Sequence, residues 1–431
     1  MGPELSTFVL LGGLILLLTL GVEIAIAMGV ISSIAFLFFL NKPLIQIAWT
    51  AWESLNSFTL LAMPLFIFMG AVFAGSGAVQ VLFGALDKWI GFLPGGLASV
   101  VIAANAVFGA ISGSSVAAAA TFSLIAYPEM EKRGYHPKFS IGSIAVGGTL
   151  SVLVPPSLIL IVYGSWENQS VARLFAAAMV PGLILSTLLL LTVILWVKFR
   201  PGLAPQPPQV TWIERLRAIR QMVPWLGVIV VVMGSIFGGL MTPTEASALG
   251  ALLSVLVAWG YGKLNYELIK RSFLTAAKVT AMIGFVIFSA RLLSFAFQDL
   301  GVTERLSSSV LSLHLGKYGL MIFLVVLYLI LGMFFDSLAM MLLTLPFVMP
   351  ILEKFGFDPI WWGVTFVILA EIGLITPPFG LNLFTIHGVL PRFSITFIAK
   401  STLPLLGTML LMVVILIAFP KLALWLPRVL Y

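Results

Sequence analysis

Two short polar clusters interrupt long apolar stretches, and each carries groups able to hold small charged ligands. The first is Gly109-Ala110-Ile111-Ser112-Gly113-Ser114-Ser115, set in apolar sequence from Leu97 to Tyr127. Serine oxygens and carbonyls freed at a glycine break are hard ligands for a small hard cation, while N–H groups at the same break can hold an anion. The second is Gly332-Met333-Phe334-Phe335-Asp336-Ser337, which puts a carboxylate in the middle of an apolar run from Leu320 to Pro350. In lipid such a charge costs at least about 2.5 kcal/mol on insertion scales, so Asp336 demands a cation or a proton as partner. Two more breaks follow, Val154-Pro155-Pro156-Ser157 and Thr376-Pro377-Pro378-Phe379-Gly380. Proline removes a donor and clashes with the carbonyl four residues back, so each pair should unwind a turn and point carbonyls inward. Gly147, Gly148 and Gly373, just before the prolines, admit a second backbone. Each feature also has a plainer explanation: a small-residue packing seam for the serines, a protonated hydrogen-bonded acid for Asp336, simple kinks for the prolines. Against the kinks, both Pro-Pro pairs fall 41 residues after a cluster, from Ser114 to Pro155 and from Asp336 to Pro377.

The elements positioning these breaks must be membrane helices. Of 431 residues 61% are hydrophobic and 9% charged, against roughly a quarter charged in soluble domains. Leu14 to Leu20 and Leu183 to Val197 are apolar on every face, which excludes the alternating strands of a barrel. A net charge of +7 does not indicate nucleic acid, because the basic residues lie between apolar stretches, Lys198, Arg200, Arg215, Arg217 and Arg220 among them. The positive-inside rule accounts for such loops. With no cysteine and three scattered histidines, disulfides, iron–sulfur clusters and His/Cys metal sites are excluded. Residues 5–20 lack a basic leader and a small-x-small cleavage site, and read as a retained first helix.

The chain repeats itself at an offset of 222 residues. Tyr127 to Pro137 lies over Met349 to Pro359 with five of eleven positions identical, and Pro155-Pro156 lies over Pro377-Pro378. The loop 129–138 carries three basic residues, whereas its partner 351–359 carries Lys354 beside Glu353 and Asp358. In the other matched pair the second-half loop is basic, with Lys263, Lys270, Arg271 and Lys278. This exchange implies inverted repeats, a construction of secondary transporters with sites at interrupted helices near the midplane. The expected architecture is an all-α, polytopic inverted-repeat protein with two re-entrant helical hairpins and two Pro-Pro unwound helices. The first repeat covers 1–200 (hairpin about 97–127, unwound helix about 140–164), a cytoplasmic linker 201–222, and the second repeat 223–431 (hairpin about 318–350, unwound helix about 359–388).

Four ordered segments resemble the large membrane subunit of the tripartite ATP-independent periplasmic (TRAP) transporters: Ile111 to Ala117, Gly332 to Asp336, Thr376 to Phe384, and Thr242-Pro243-Thr244-Glu245-Ala246. The resemblance implies an elevator-type sodium symporter of the ion-transporter superfamily kind, in the cell inner membrane. It implies no cofactor besides the coupling ion, a small four-helix membrane subunit as partner, and a carboxylate (dicarboxylate, sialic acid or sugar acid) delivered by an extracytoplasmic binding protein. Sodium ligands are then expected at Ser112, Gly113, Ser114, Ser115, Gly148, Pro155, Gly332, Asp336, Ser337, Gly373, Thr376 and Gly380, and substrate contacts at Ser114, Ser115, Ser337 and Asn382. Val154 departs from the threonine present in the second half, Thr376. No GxxxxGK[ST] phosphate loop occurs, in keeping with transport driven by an ion gradient, and the resemblance implies that the chain is no enzyme.

Outside these motifs, Thr242-Pro243-Thr244-Glu245 reads as a helix start with Glu245 structural. Glu371 is a second acid near a Pro-Pro pair, and Asn105 and Arg291 fit interhelical bonding, snorkelling or a pathway, with Arg291 alternatively a contact for the partner subunit. Trp49, Trp52, Trp166, Trp212, Trp225, Trp361 and Trp362 lie near segment ends and read as interfacial anchors. The proline-rich stretch 201–213 reads as a linker or a strap around a partner. Alternatives to a binding-protein-dependent symporter are a one-component divalent-anion/sodium symporter, a duplicated anion channel, and an intramembrane protease using Ser112 or Ser114 with His387.

Overall fold

The computed structural model describes residues 3–40, 42–206 and 210–431; Pro207, Pro208 and Gln209 of the proline-rich stretch lie outside the described residues. Among the described residues the chain is helical and has no strand, as it must where no water satisfies the backbone. Seven helices are long and apolar enough to cross a bilayer, or eight if the pair Ile45–Leu55 and Thr59–Gly75, bent by 63°, is one span.

The element order runs twice. In the first half, Pro3–Thr19, Ile24–Ile34, the bent pair and Ala78–Ile90 lead into a helical hairpin, Leu97–Ser112 and Ser115–Lys132. A broken helix follows, Pro137–Leu153 and Leu158–Trp166, then Val171–Phe199. The second half repeats this with Trp212–Phe237, Pro243–Gly260, Tyr266–Asp299, Val302–Ser312, a hairpin of Lys317–Gly332 and Ser337–Lys354, a broken helix of Pro359–Leu374 and Leu381–Val389, and Ile395–Ala418. The helix Lys421–Leu430 ends the chain.

Matched loops fall at opposite ends of the molecule. At one end the His136 N–H donates to the Leu203 carbonyl at 3.0 Å, Arg133 pairs with Asp87 at 2.8 Å, Arg392 pairs with Glu131 at 2.8 Å, and Tyr261 donates to the Gln221 carbonyl at 3.3 Å. These contacts gather the basic loops. The loop 351–359 instead meets the far end of the first broken helix, where Tyr163 donates to the Pro359 carbonyl at 2.6 Å.

Pro137–Leu153 and Pro359–Leu374 are buried on every face and form the centre. Small residues allow this. A Cβ on Gly109 would stand 2.3 Å from the Ser151 Cα, and one on Gly373 2.5 Å from the Gly332 Cα. Each hairpin therefore crosses its broken helix at backbone contact. The tryptophans divide: Trp49, Trp52 and Trp212 are exposed, but Trp166, Trp225, Trp361 and Trp362 are buried and are not interfacial anchors. Trp225 and Trp361 instead donate their indole N–H to the carbonyls of Ala78 and Leu416, at 3.1 and 3.0 Å, linking neighbouring helices. Thr242 and Glu245 form a reciprocal capping box that starts Pro243–Gly260, which makes Glu245 structural.

Candidate functional site

Helix ends created by the four breaks meet in the interior. Gly113, at φ +59°, closes the first tip in a left-handed conformation that favours glycine. Ser114 caps the next helix, accepting from the Ala117 N–H at 3.3 Å, and Ser157 caps the helix after the first Pro-Pro, accepting from the Leu160 N–H at 3.5 Å. Asp336 does the same at the second tip, accepting from the Leu338 N–H at 3.0 Å. Helices thus begin, N-termini first, at the breaks, while the preceding helices end there with free carbonyls. Positive helix ends suit an anion and negative ends a cation.

The first tip packs on the first unwound turn. A Cβ on Gly113 would lie 3.3 Å from the Pro156 carbonyl oxygen, and one on Gly148 3.3 Å from that of Ser115. Pro155-Pro156 and Pro377-Pro378 are both cis. In the second half Gly332 abuts Gly373, the Thr376 hydroxyl donates to the Ile372 carbonyl at 2.6 Å, and the Gly380 Cα has no room for a Cβ between the carbonyls of Leu374 and Thr376, at 2.9 and 3.0 Å.

The two halves meet on Glu371, whose neighbours are Ser115 of the first hairpin and Ser337 and Asp336 of the second. The residue is 1% exposed, and the hydroxyls of Ser115 and Ser337 lie beside its carboxylate without an aligned hydrogen bond. The hydroxyl of Ser112 and both amide atoms of Asn382 are also buried without a protein partner. Buried polar groups such as these are completed by water, an ion or a ligand. Hydroxyl, amide, carboxylate and carbonyl oxygens fit a small hard cation, and Ser and Asn also offer donors to a carboxylate. Glu371 is absent from the ligands expected from sequence because it precedes the Pro-Pro break by a turn; the usable signal was the acid itself within an apolar run.

Asp336 lies deep, yet the residue is exposed, as are Phe334, Pro377, Pro378 and Phe379. Asn105 belongs to a packing seam: its side chain donates to the Val101 carbonyl at 2.8 Å and its own carbonyl accepts from Ser151 at 3.0 Å. Arg291 is not at this site; its guanidinium lies over the Trp166 ring of the same chain, 3.8 Å from the centroid.

A family model described as "Tripartite ATP-independent periplasmic transporter, DctM component" matches residues 11–422. The chain is 32% identical to the C4-dicarboxylate TRAP transporter large permease protein of Vibrio cholerae, covering 98% of this chain and 97% of that one. It is 33% identical to the C4-dicarboxylate large permease of Pseudomonas aeruginosa over 93% and 94% of the two chains, and 32% identical to the fused isethionate permease of Oleidesulfovibrio alaskensis over 94% and 64%. Among solved structures, the YdaH transporter of Alcanivorax borkumensis shares the fold at a TM-score of 0.57 and 15% identity, covering 96% of this chain and 98% of that one. An all-helical, multi-pass membrane protein with a polar centre built at helix breaks has the make-up of a transporter. This chain belongs to the TRAP transporter family as a large permease subunit.

Proposed function

We propose that the chain is the sodium-coupled membrane component that imports an organic acid handed over by an extracytoplasmic binding protein, working with a small membrane subunit. The convergence of both hairpin tips, through Ser115 and Ser337, on the buried Glu371 carries this reading. Sodium bound at Ser112–Ser115 with the first unwound turn, and at Gly332, Asp336, Ser337, Gly373, Thr376 and Gly380, would bring positive charge beside the carboxylates of Asp336 and Glu371. The substrate carboxylate, next to Ser114, Ser115, Ser337 and Asn382, would then meet cations and helix N-termini instead of bare anions. Ion and substrate each make the other's binding favourable, which is the physical content of coupling. The opposite placement of matched loops supports inverted repeats, with the end carrying Arg133 and Arg392 cytoplasmic by the positive-inside rule. Hairpins locked to their broken helices at Gly109 and Gly332 suit movement as one body, as an elevator requires. Relatives named for C4-dicarboxylates, isethionate and sialic acid support an acid substrate, and the isethionate fusion protein supports a small subunit as partner. Vesicles holding this chain and its small subunit, given an inward sodium gradient, should accumulate substrate only after the cognate binding protein is added. Uptake by this chain alone would establish a one-component symporter instead.

A further inference from the structure

A polar cavity of ≈ 630 Å³ lies away from Glu371 at the end of the molecule that holds the loop 351–359. Gln46 and Glu53 line it from the bent helix, Arg291 and Gln298 from Tyr266–Asp299, and Ser165 and Trp166 from the end of the first broken helix. Its walls therefore belong both to the flanking helices and to the unit that carries the hairpins. The Ser57 and Ser165 hydroxyls join the two across 3.1 Å.

Arg291 is the cation in this cavity, and it is held in one orientation. The guanidinium stacks on the Trp166 indole and its Nη2 donates to the Trp166 carbonyl at 3.1 Å. Stacking uses the face of the group; of its five in-plane N–H donors, this bond takes one. Among the described residues no carboxylate comes within ion-pair distance of it. The edge of a stacked guanidinium is a ready fork for a carboxylate, because the planar donors are already oriented. Glu53 in the wall and Glu167 beyond Trp166 oppose an anion, which keeps retention weak. Burial pushes Glu167 up to about 7, with the Arg291 charge pulling it down and Glu353 adding to the rise, so near neutral pH it opposes only in part.

We propose that this cavity is a transient station for the carboxylate of the transported acid, gripped by the edge of Arg291 on the extracytoplasmic approach to the hairpin site. The proposal rests on the transporter reading above. A weak station that touches both moving and fixed parts would raise the local substrate concentration without trapping it.

The chain has no cysteine, so Gln298→Cys, exposed in the cavity wall, gives a single reporter. Right-side-out vesicles are treated with an anionic sulfonatoethyl or a cationic trimethylammonioethyl thiosulfonate, and the ratio of labelling rates is read with and without millimolar succinate. Arg291→Gln should lower the anion-to-cation ratio roughly three- to tenfold and abolish any slowing by succinate. Arg291→Lys, which keeps the charge but not the fork, should hold the ratio and lose the succinate effect; it also serves if Arg291→Gln fails to fold. An unchanged ratio in Arg291→Gln, or succinate slowing that survives both variants, overturns the station. Wild-type uptake in the same vesicles tests the transporter reading separately, so a failure of either is seen on its own.

Discussion

Pro155, Pro156 and Ser157 are buried, whereas Pro377, Pro378 and Phe379, 222 positions further on, are exposed. The same contrast holds at the tips, where Ser112 and Ser115 are buried and Asp336 is exposed. The cause lies in the flanking helices. Gly70 of Ala62–Gly75 presses on the first tip so closely that a Cβ there would stand 2.9 Å from the Ser112 Cα. The equivalent helix of the second half, Tyr266–Asp299, meets its hairpin on the far arm, through Phe297 and Phe347 at 5.3 Å between ring centroids. Similar motifs thus become a closed half-site and an open one according to what lies over them. The open half also supplies both carboxylates, Asp336 and Glu371.

That difference gives the largest expected effect. Asp336→Asn and Glu371→Gln should each cut the initial rate of sodium-driven uptake roughly 100-fold, the factor that about 2.7 kcal/mol of lost charge pairing represents. Ser112→Ala, in the uncharged half, should cost far less. If the serine variant loses as much as the carboxylate variants, with all three eluting as monodisperse protein, charge does not reside in one half of the site. Next in size is accessibility: a maleimide applied from the basic end should modify Phe379→Cys at least about ten times faster than Ser157→Cys, as exposed and buried thiols differ. Equal rates would mean that the protein in a membrane is not open on one side only. The smallest effect concerns the crossings that hold hairpin to broken helix. Gly373→Ala should cost about 1–3 kcal/mol as overpacking, read as a lowered midpoint in thermal unfolding, while Gly388→Ala, with nothing within 4 Å, should not destabilise. A neutral Gly373→Ala would show that the hairpin can part from its helix.

Much of this was legible in the sequence because lipid leaves few physical options. A glycine–serine cluster, an acid or a double proline inside an apolar run needs special accommodation, and the structure puts Ser115, Asp336 and Ser337 beside Glu371. Glu371 was harder to rank, since it stands in the helical turn before the Pro-Pro break and only its partners in space, contributed by two other segments, reveal its place. The buried tryptophans misled for a related reason: an indole near a segment end fits a headgroup zone equally well as a carbonyl on a neighbouring helix, and Trp225 and Trp361 found carbonyls. The sequence could not show which tip is covered, because Gly70 and Phe297 stand outside the motifs and their reach depends on how the flanking helices pack.

The two tips also differ in length. Gly113 and Ser114 alone join the arms of the first hairpin, whereas Met333 to Asp336 join those of the second, so that arms 220 residues apart before the turn (Ser112, Gly332) become 222 apart after it (Ser115, Ser337). The second bend is therefore two residues longer than the first, and the longer bend is the one that ends in an acid. The halves have ceased to be exchangeable copies: a chimera carrying two first-half tips would lose an acid, and one carrying two second-half tips would force two more residues beneath Gly70.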